Sequence, residues 1–381
     1  MGERRLILAA AALLAVACAP KLDPLAALKE ELGAHRATEP QATVVLDDEA
    51  LSAMAGELLG RPHTAPGPLG MAVVIMPEVE RSQVKVQPDD DAVSVEMEVD
   101  GAVDIAFPLA SQDDLAFEGV LRAPVVASVR PDPRGSWVLL GWAPNREVVA
   151  QVQLPGSSEQ LASLTTGLVQ GALAGALREP KGALVPMTPW GPITDVALDA
   201  RGDDLLAHVT VAGAPGSLPE PVDPPPHGFA VVVSEASVLG LLQGLAASSQ
   251  DRETYVVEPI ALTFEGDIAT AELRVHKRAR KERWRRYRVT GPMRWDAGSL
   301  RVDAPQLELV EHRGWRKGVS VAIGEARAVS SLQKGIGGLP TALAQPLTAD
   351  LALYIEVDDV SASSGQLVVS GPVSVRARAS E

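Results

Sequence analysis

The chain has 381 residues, with 34 Lys and Arg against 49 Asp and Glu, a net charge of −15 at pH 7. The acid surplus sits in residues 18–220, which hold 29 acidic and 13 basic side chains, while residues 221–381 hold 19 of each. That balance argues against nucleic acid as a partner, and aromatics at 3% leave an interior to be built from Val, Leu and Ala.

The first predicted element is a targeting segment over residues 1–17. Glu3, Arg4 and Arg5 precede an uncharged apolar run from Leu6 to Ala17, too short for the roughly 20 residues that span a bilayer. It ends at Leu14-Ala15-Val16-Ala17-Cys18. Small residues before a cysteine resemble the lipobox of bacterial lipoproteins, although the leucine stands one place early. The resemblance implies cleavage before Cys18, palmitate-type acyl chains on Cys18, and a membrane anchor with residues 18–40 as a lipidated tether. Ala19 in place of Asp implies, by the same resemblance, the outer membrane, with the periplasmic or surface face left open. The competing reading is an ordinary signal peptide with a cysteine near the cut. Cys18 is the single cysteine, so no intramolecular disulfide forms.

The first folded segment is predicted over residues 41–213. Val44-Val45-Leu46 reads as a strand, and Asp47 as the N-cap of a helix whose Leu51, Met54, Ala55, Leu58 and Leu59 share one face. Val93 to Asp100 alternates aliphatic and acidic residues, which predicts an antiparallel sheet with one wet side. Asp100-Gly101 reads as a tight hairpin turn before Val103 to Phe107. Ser157 and Gln160 form a capping box for a second, longer helix with Leu161, Leu164, Leu168 and Ala172 as its stripe. Val196 to Leu198 and Leu205 to Val211 close the segment as paired strands.

Residues 214–228 carry six prolines and read as a semi-rigid extended linker. The segment beyond, 229–381, repeats the order of the first. Val231-Val232-Val233 leads to Ser234 as N-cap and a helix through Val238, Leu241, Leu242 and Leu245. Strands follow at Ile260 to Phe264, Ala269 to Val275, Leu300 to Val302 and Val319 to Ile323. A long helix is expected through Leu332, Ile336, Leu339, Leu343 and Leu347, interrupted by Pro340 and Pro346. Ile355 to Val360 and Leu367 to Val375 end it. The expected fold class is therefore α+β: two similar domains, each a long helix packed in a curved antiparallel sheet behind a short N-terminal helix.

With that order on the page, residues 41–378 resemble the tubular lipid-binding superfamily, the relatives of the bactericidal permeability-increasing protein. The resemblance implies two apolar tunnels that hold acyl chains, with phospholipid or lipopolysaccharide as the ligand. Gly167, Gly171 and Gly175 recur every four residues and are the tunnel-lining candidates; close helix–sheet packing is the other reading of so bare a face.

Arg274 to Arg288 holds nine Lys/Arg and one Glu. It reads as a hairpin with its tip near Ala279–Arg283, flanked by Trp284 and Tyr287 as interfacial aromatics. Arg278, Arg280, Lys281, Arg283, Arg285, Arg286 and Arg288 are the candidate contacts to an anionic surface. The alternative is an edge hairpin kept soluble by its charge, or one docked on the acidic first segment.

Enzymatic signatures are missing. The six histidines are scattered without metal-ligand spacing, and no nucleophile elbow, phosphate loop or cofactor motif occurs. The sequence therefore reads as a non-enzymatic envelope lipoprotein that binds or carries lipid. The alternative is an envelope scaffold or interaction protein with solid cores.

Overall fold

Strands dominate the computed structural model, which describes residues 40–59, 62–66, 72–78, 84–89, 92–107, 110–143, 149–153, 166–171, 181–186, 192–212, 217–249, 255–277, 280–296, 299–314, 342–346, 351–363 and 365–377. The first half runs β1 (Ala42–Leu46), α1 (Asp48–Leu59), β2 (His63–Pro66), β3 (Ala72–Glu78), β4 (Val84–Asp89), β5 (Ala92–Phe107) and β6 (Ala110–Asp132). It continues through β7 (Gly135–Trp142), β8 (Val149–Gln153), the helical residues 166–171 (α2), β9 (Lys181–Pro186), β10 (Ile193–Arg201) and β11 (Asp204–Val211). The second half opens with β12 (Gly228–Ser234), α3 (Glu235–Ser249), β13 (Tyr255–Glu265), β14 (Ile268–Lys277), β15 (Arg280–Asp296), β16 (Ser299–Val302) and β17 (Gln306–Arg313). It closes with β18 (Ala342–Pro346), β19 (Leu351–Glu356), β20 (Asp359–Ser363) and β21 (Gln366–Ala377).

The helix starts predicted at Asp47 and Ser234 are present. Asp47 Oδ1 accepts from the Ala50 N–H at 2.6 Å, and Ser234 Oγ accepts from the Ser237 N–H at 3.3 Å. Each satisfies a donor the first turn leaves without an intrahelical partner.

The α+β expectation, a long helix packed in a curved sheet in each half, is overturned. The chain is mostly β, arranged in several antiparallel sheets, and its described helices are short. Of the first expected long helix, only 166–171 is helical among the described residues; Ser157, Gln160, Leu161, Leu164 and Ala172 lie outside them. Of the second, Leu332, Ile336 and Leu339 lie outside, while Leu343 and Pro346 belong to strand β18, paired with β19. Two prolines within seven residues deny a helix its donors, whereas a strand at a sheet edge, as β18 is, tolerates them.

A second correction concerns Asp100-Gly101. No turn forms there, and β5 runs through it for 16 residues. Gly101 is needed for a different reason: a Cβ at this position would stand 2.3 Å from the Met76 carbonyl of β3, and its φ is 153°. The glycine lets a neighbouring backbone approach closely. β5 thus pairs with β4 and β3 in turn along one edge and with β6, 23 residues long, along the other.

The halves share a central sheet in the order β10-β11-β1-β12-β21, with β20 on β21. One row of residues crosses six strands in register: Leu198, Ala207, Val44, Val231, Val369 and Val360. Each half contributes a strand that leads into a helix and a hairpin whose second strand pairs with it. The row therefore reads the same from either end, with a dyad at the Val44–Val231 pair.

Beneath this sheet one apolar cluster joins Val138, Val185 and Val209 of the first half to Val231, Leu273 and Tyr287 of the second. A smaller cluster fills the first-half sheet around Ile75, Val103 and Phe117, with Val169 of α2 and Leu51 of α1 against it. Residues 217–227 of the proline-rich linker lie across the opposite face of the central sheet. Val222 packs on Val45, Ala230, Val232 and Val368, and Arg201 donates to the Pro221 carbonyl and to Asp223, both at 2.8 Å. The His227 N–H donates to Asp47 Oδ2 at 2.9 Å. The linker straps the seam between the halves instead of spacing them apart.

Candidate functional site

The basic hairpin is β14 and β15. Register places Lys277 opposite Arg280, so the connection is residues 278–279, nearer the start of the basic run than expected. Side chains alternate along β15: Arg285, Tyr287 and Val289 point into the core, while Arg286 and Arg288 are half-exposed on the outer face.

The outer face is an ion-pair lattice across four strands. Arg274 and Arg286 lie directly opposite each other, an arrangement that repels unless each cation has its own counter-charge. Arg274 Nη1 is 3.8 Å from Glu258 of β13, and Arg286 Nε donates to Glu272 at 2.8 Å. Arg288 donates to Glu272 at 3.0 Å and to Glu308 of β17 at 3.2 Å, and Glu311 stands 4.0 Å from Arg286. The Arg286 hydrogen bond, joined by that of Arg288, holds the Glu272 carboxyl below its ordinary range, against the opposing pull of partial burial. Glu272 in turn raises the Arg288 guanidinium.

The seven candidate contacts therefore separate. Arg285 is 3% exposed and donates to the Tyr287 hydroxyl at 3.4 Å. Arg286 and Arg288 are neutralised in place. Lys281 and Arg283 are exposed; Arg280 lies in β15, and Arg278 lies outside the described residues. The two aromatics also part company with the interfacial reading. Tyr287 is fully buried, and Trp284 is half-buried under the Arg274 guanidinium, 5.0 Å from its ring centre.

The end of the sheet carries more positive charge than the hairpin alone supplied. Lys277, over the Tyr255 ring at 5.4 Å, and Arg313 at the end of β17 are both exposed. Arg313 pairs in register with Trp284, one residue from Arg283. Sequence reasoning missed Arg313, because β17 follows a separate turn and only sheet pairing brings it to the hairpin. It also missed the four glutamates; the equal count of acids and bases in residues 221–381 was the available signal.

Of the tunnel-lining candidates, Gly167 and Gly171 lie on the exposed face of α2, and an added Cβ at either meets no described atom within 4 Å. Val169, between them, is the residue that enters the core. Gly175 and Cys18 lie outside the described residues. Among the described residues no group of His, Cys, Asp or Glu is arranged to hold a metal, and no helix is long and apolar enough to cross a membrane.

No family model matches the sequence, and no curated protein does. Among solved structures, P47 of Clostridium botulinum E1 covers 87% of this chain and 98% of its own, at 9% identity and a TM-score of 0.42. P47 from Clostridium botulinum A2 covers 87% and 97%, at 10% identity and the same TM-score. A likeness this loose says nothing of what the chain does.

Proposed function

We propose that this chain is an envelope lipoprotein, anchored through Cys18 in the outer membrane, whose apolar interior holds the acyl chains of a phospholipid or lipopolysaccharide. The observation that carries the reading is the continuous cluster running from Val138 and Val185 under the central sheet to Leu273 and Val289, which is almost wholly aliphatic. An acyl chain of about fourteen methylenes costs on the order of 11 kcal/mol to leave in water. Lipid is therefore carried in an interior and not on a surface patch. Support also comes from the apolar run that ends at Cys18.

Native mass spectrometry of the chain from Ala19 to Glu381 tests it. The expected result is a set of masses above the protein's own that dissociate as lipids. A single ligand-free mass after gentle extraction decides for the scaffold reading. The anchor is tested separately: the Cys18→Ser chain takes up no labelled palmitate, and salt-resistant membrane association of that variant would refute a lipid anchor.

A further inference from the structure

We infer that the end of the second-half sheet, where β14, β15 and β17 converge, is a docking surface for an anionic phospholipid bilayer, and that Lys277, Lys281, Arg283 and Arg313 form it. Along this sheet the charges are segregated. In the body, Arg274, Arg286 and Arg288 face Glu258, Glu272, Glu308 and Glu311, so that stretch offers a surface no net positive charge. At the end, Lys277, Lys281, Arg283 and Arg313 are exposed, with Glu282 beside Lys281 and Arg283 and with Glu311 two residues from Arg313; among the described residues none of the four forms an ion pair with a carboxylate.

The rest of the molecule sharpens this contrast. A chain of net charge −15 is repelled by an anionic surface as a whole, so a locally basic end orients it on approach. Of the described aromatics near the end, Tyr287 is in the core, Trp284 lies beneath Arg274 and Tyr255 lies beneath Lys277. Docking through these four cations rests on charge and is salt-sensitive. The inference depends on the proposed envelope location and not on a lipid cargo.

The test uses the chain from Ala19 to Glu381 with vesicles of phosphatidylcholine, alone or with phosphatidylglycerol. The protein sediments with the mixed vesicles at low salt, is released as ionic strength rises, and ignores the neutral ones. Each basic side chain near such a surface is worth roughly fivefold in affinity, so Lys281→Glu with Arg283→Glu weakens binding by at least roughly 25-fold. Arg313→Glu, on a different strand, weakens it in the same sense. Lys85→Glu with Arg130→Glu, an equal charge change at exposed first-half positions, leaves binding close to wild type. Equal losses from both pairs, undiminished binding by the Lys281/Arg283 pair, or equal binding to neutral vesicles overturns the proposal. Native mass spectrometry of the same variants shows lipid content unchanged, so failure of docking and failure of lipid carriage are read apart.

Discussion

Replacing Tyr287 by Ala distinguishes a buried tyrosine from one poised at a membrane surface. Tyr287 is fully buried, opposite Leu273 of β14 and in one cluster with Val289 and Met293. Truncating a buried aromatic of this size costs about 3–5 kcal/mol, transfer and cavity terms together. Tyr287→Phe keeps the ring and loses only the hydroxyl that accepts from Arg285, which costs about 1 kcal/mol. With a urea slope near 3 kcal/mol/M, the Ala variant lowers the unfolding midpoint by roughly 1 M or more and the Phe variant by about a third of that. Tryptophan fluorescence against urea at neutral pH measures both. An Ala variant within about 0.5 kcal/mol of wild type, the ordinary range of a surface substitution, would refute the assignment. It would also place β15 one residue out of register, because a slip of one turns Tyr287 outward and the adjacent arginines inward.

Two further perturbations test the seam and the ion-pair lattice. Asp47→Ala removes both the cap of α1 and the acceptor for the His227 N–H; the expected loss is about 2 kcal/mol, and Asp47→Ser recovers the cap part of it, as read by urea midpoint. For Glu272 the folded carboxyl titrates below its ordinary value of 4.5, so its contribution to stability is present above that value and is lost as pH falls through the lower, folded one. Glu272→Gln is therefore less stable than wild type at neutral pH, and the gap closes as pH falls below 4.5 through the lower, folded value; a gap independent of pH would show that the arginines do not depend on this carboxylate's charge.

The elements that the sequence announced are those with local causes. Asp47 and Ser234 each precede an apolar helical face, and each caps a helix. Alternation from Val93 to Asp100 predicted a sheet with a wet acidic side, and Met97 and Val99 are buried while Glu98 and Asp100 are exposed. Where local patterns competed, the sequence misled. Spaced leucines suggested a helix through Leu343, but prolines on either side of it settle that segment into an edge strand. Asp100-Gly101 has the composition of a turn, yet it lies mid-strand because Met76 of another strand presses on it.

What only the tertiary structure decided is partnership. The sequence shows two similar strand–helix openings, but nothing in it says that Val44 pairs with Val231 and makes one sheet of the two halves. It shows nine basic residues in a run, but not that Glu272 and Glu308 neutralise Arg288, that Arg285 is inside, or that Arg313 joins Lys281 and Arg283. Periodicity and capping depend on neighbours within one or two turns and can be read along the chain. Which strands meet, and which charges thereby lose or keep their freedom to face outward, depends on contacts far apart in sequence, and those exist only once the chain has folded.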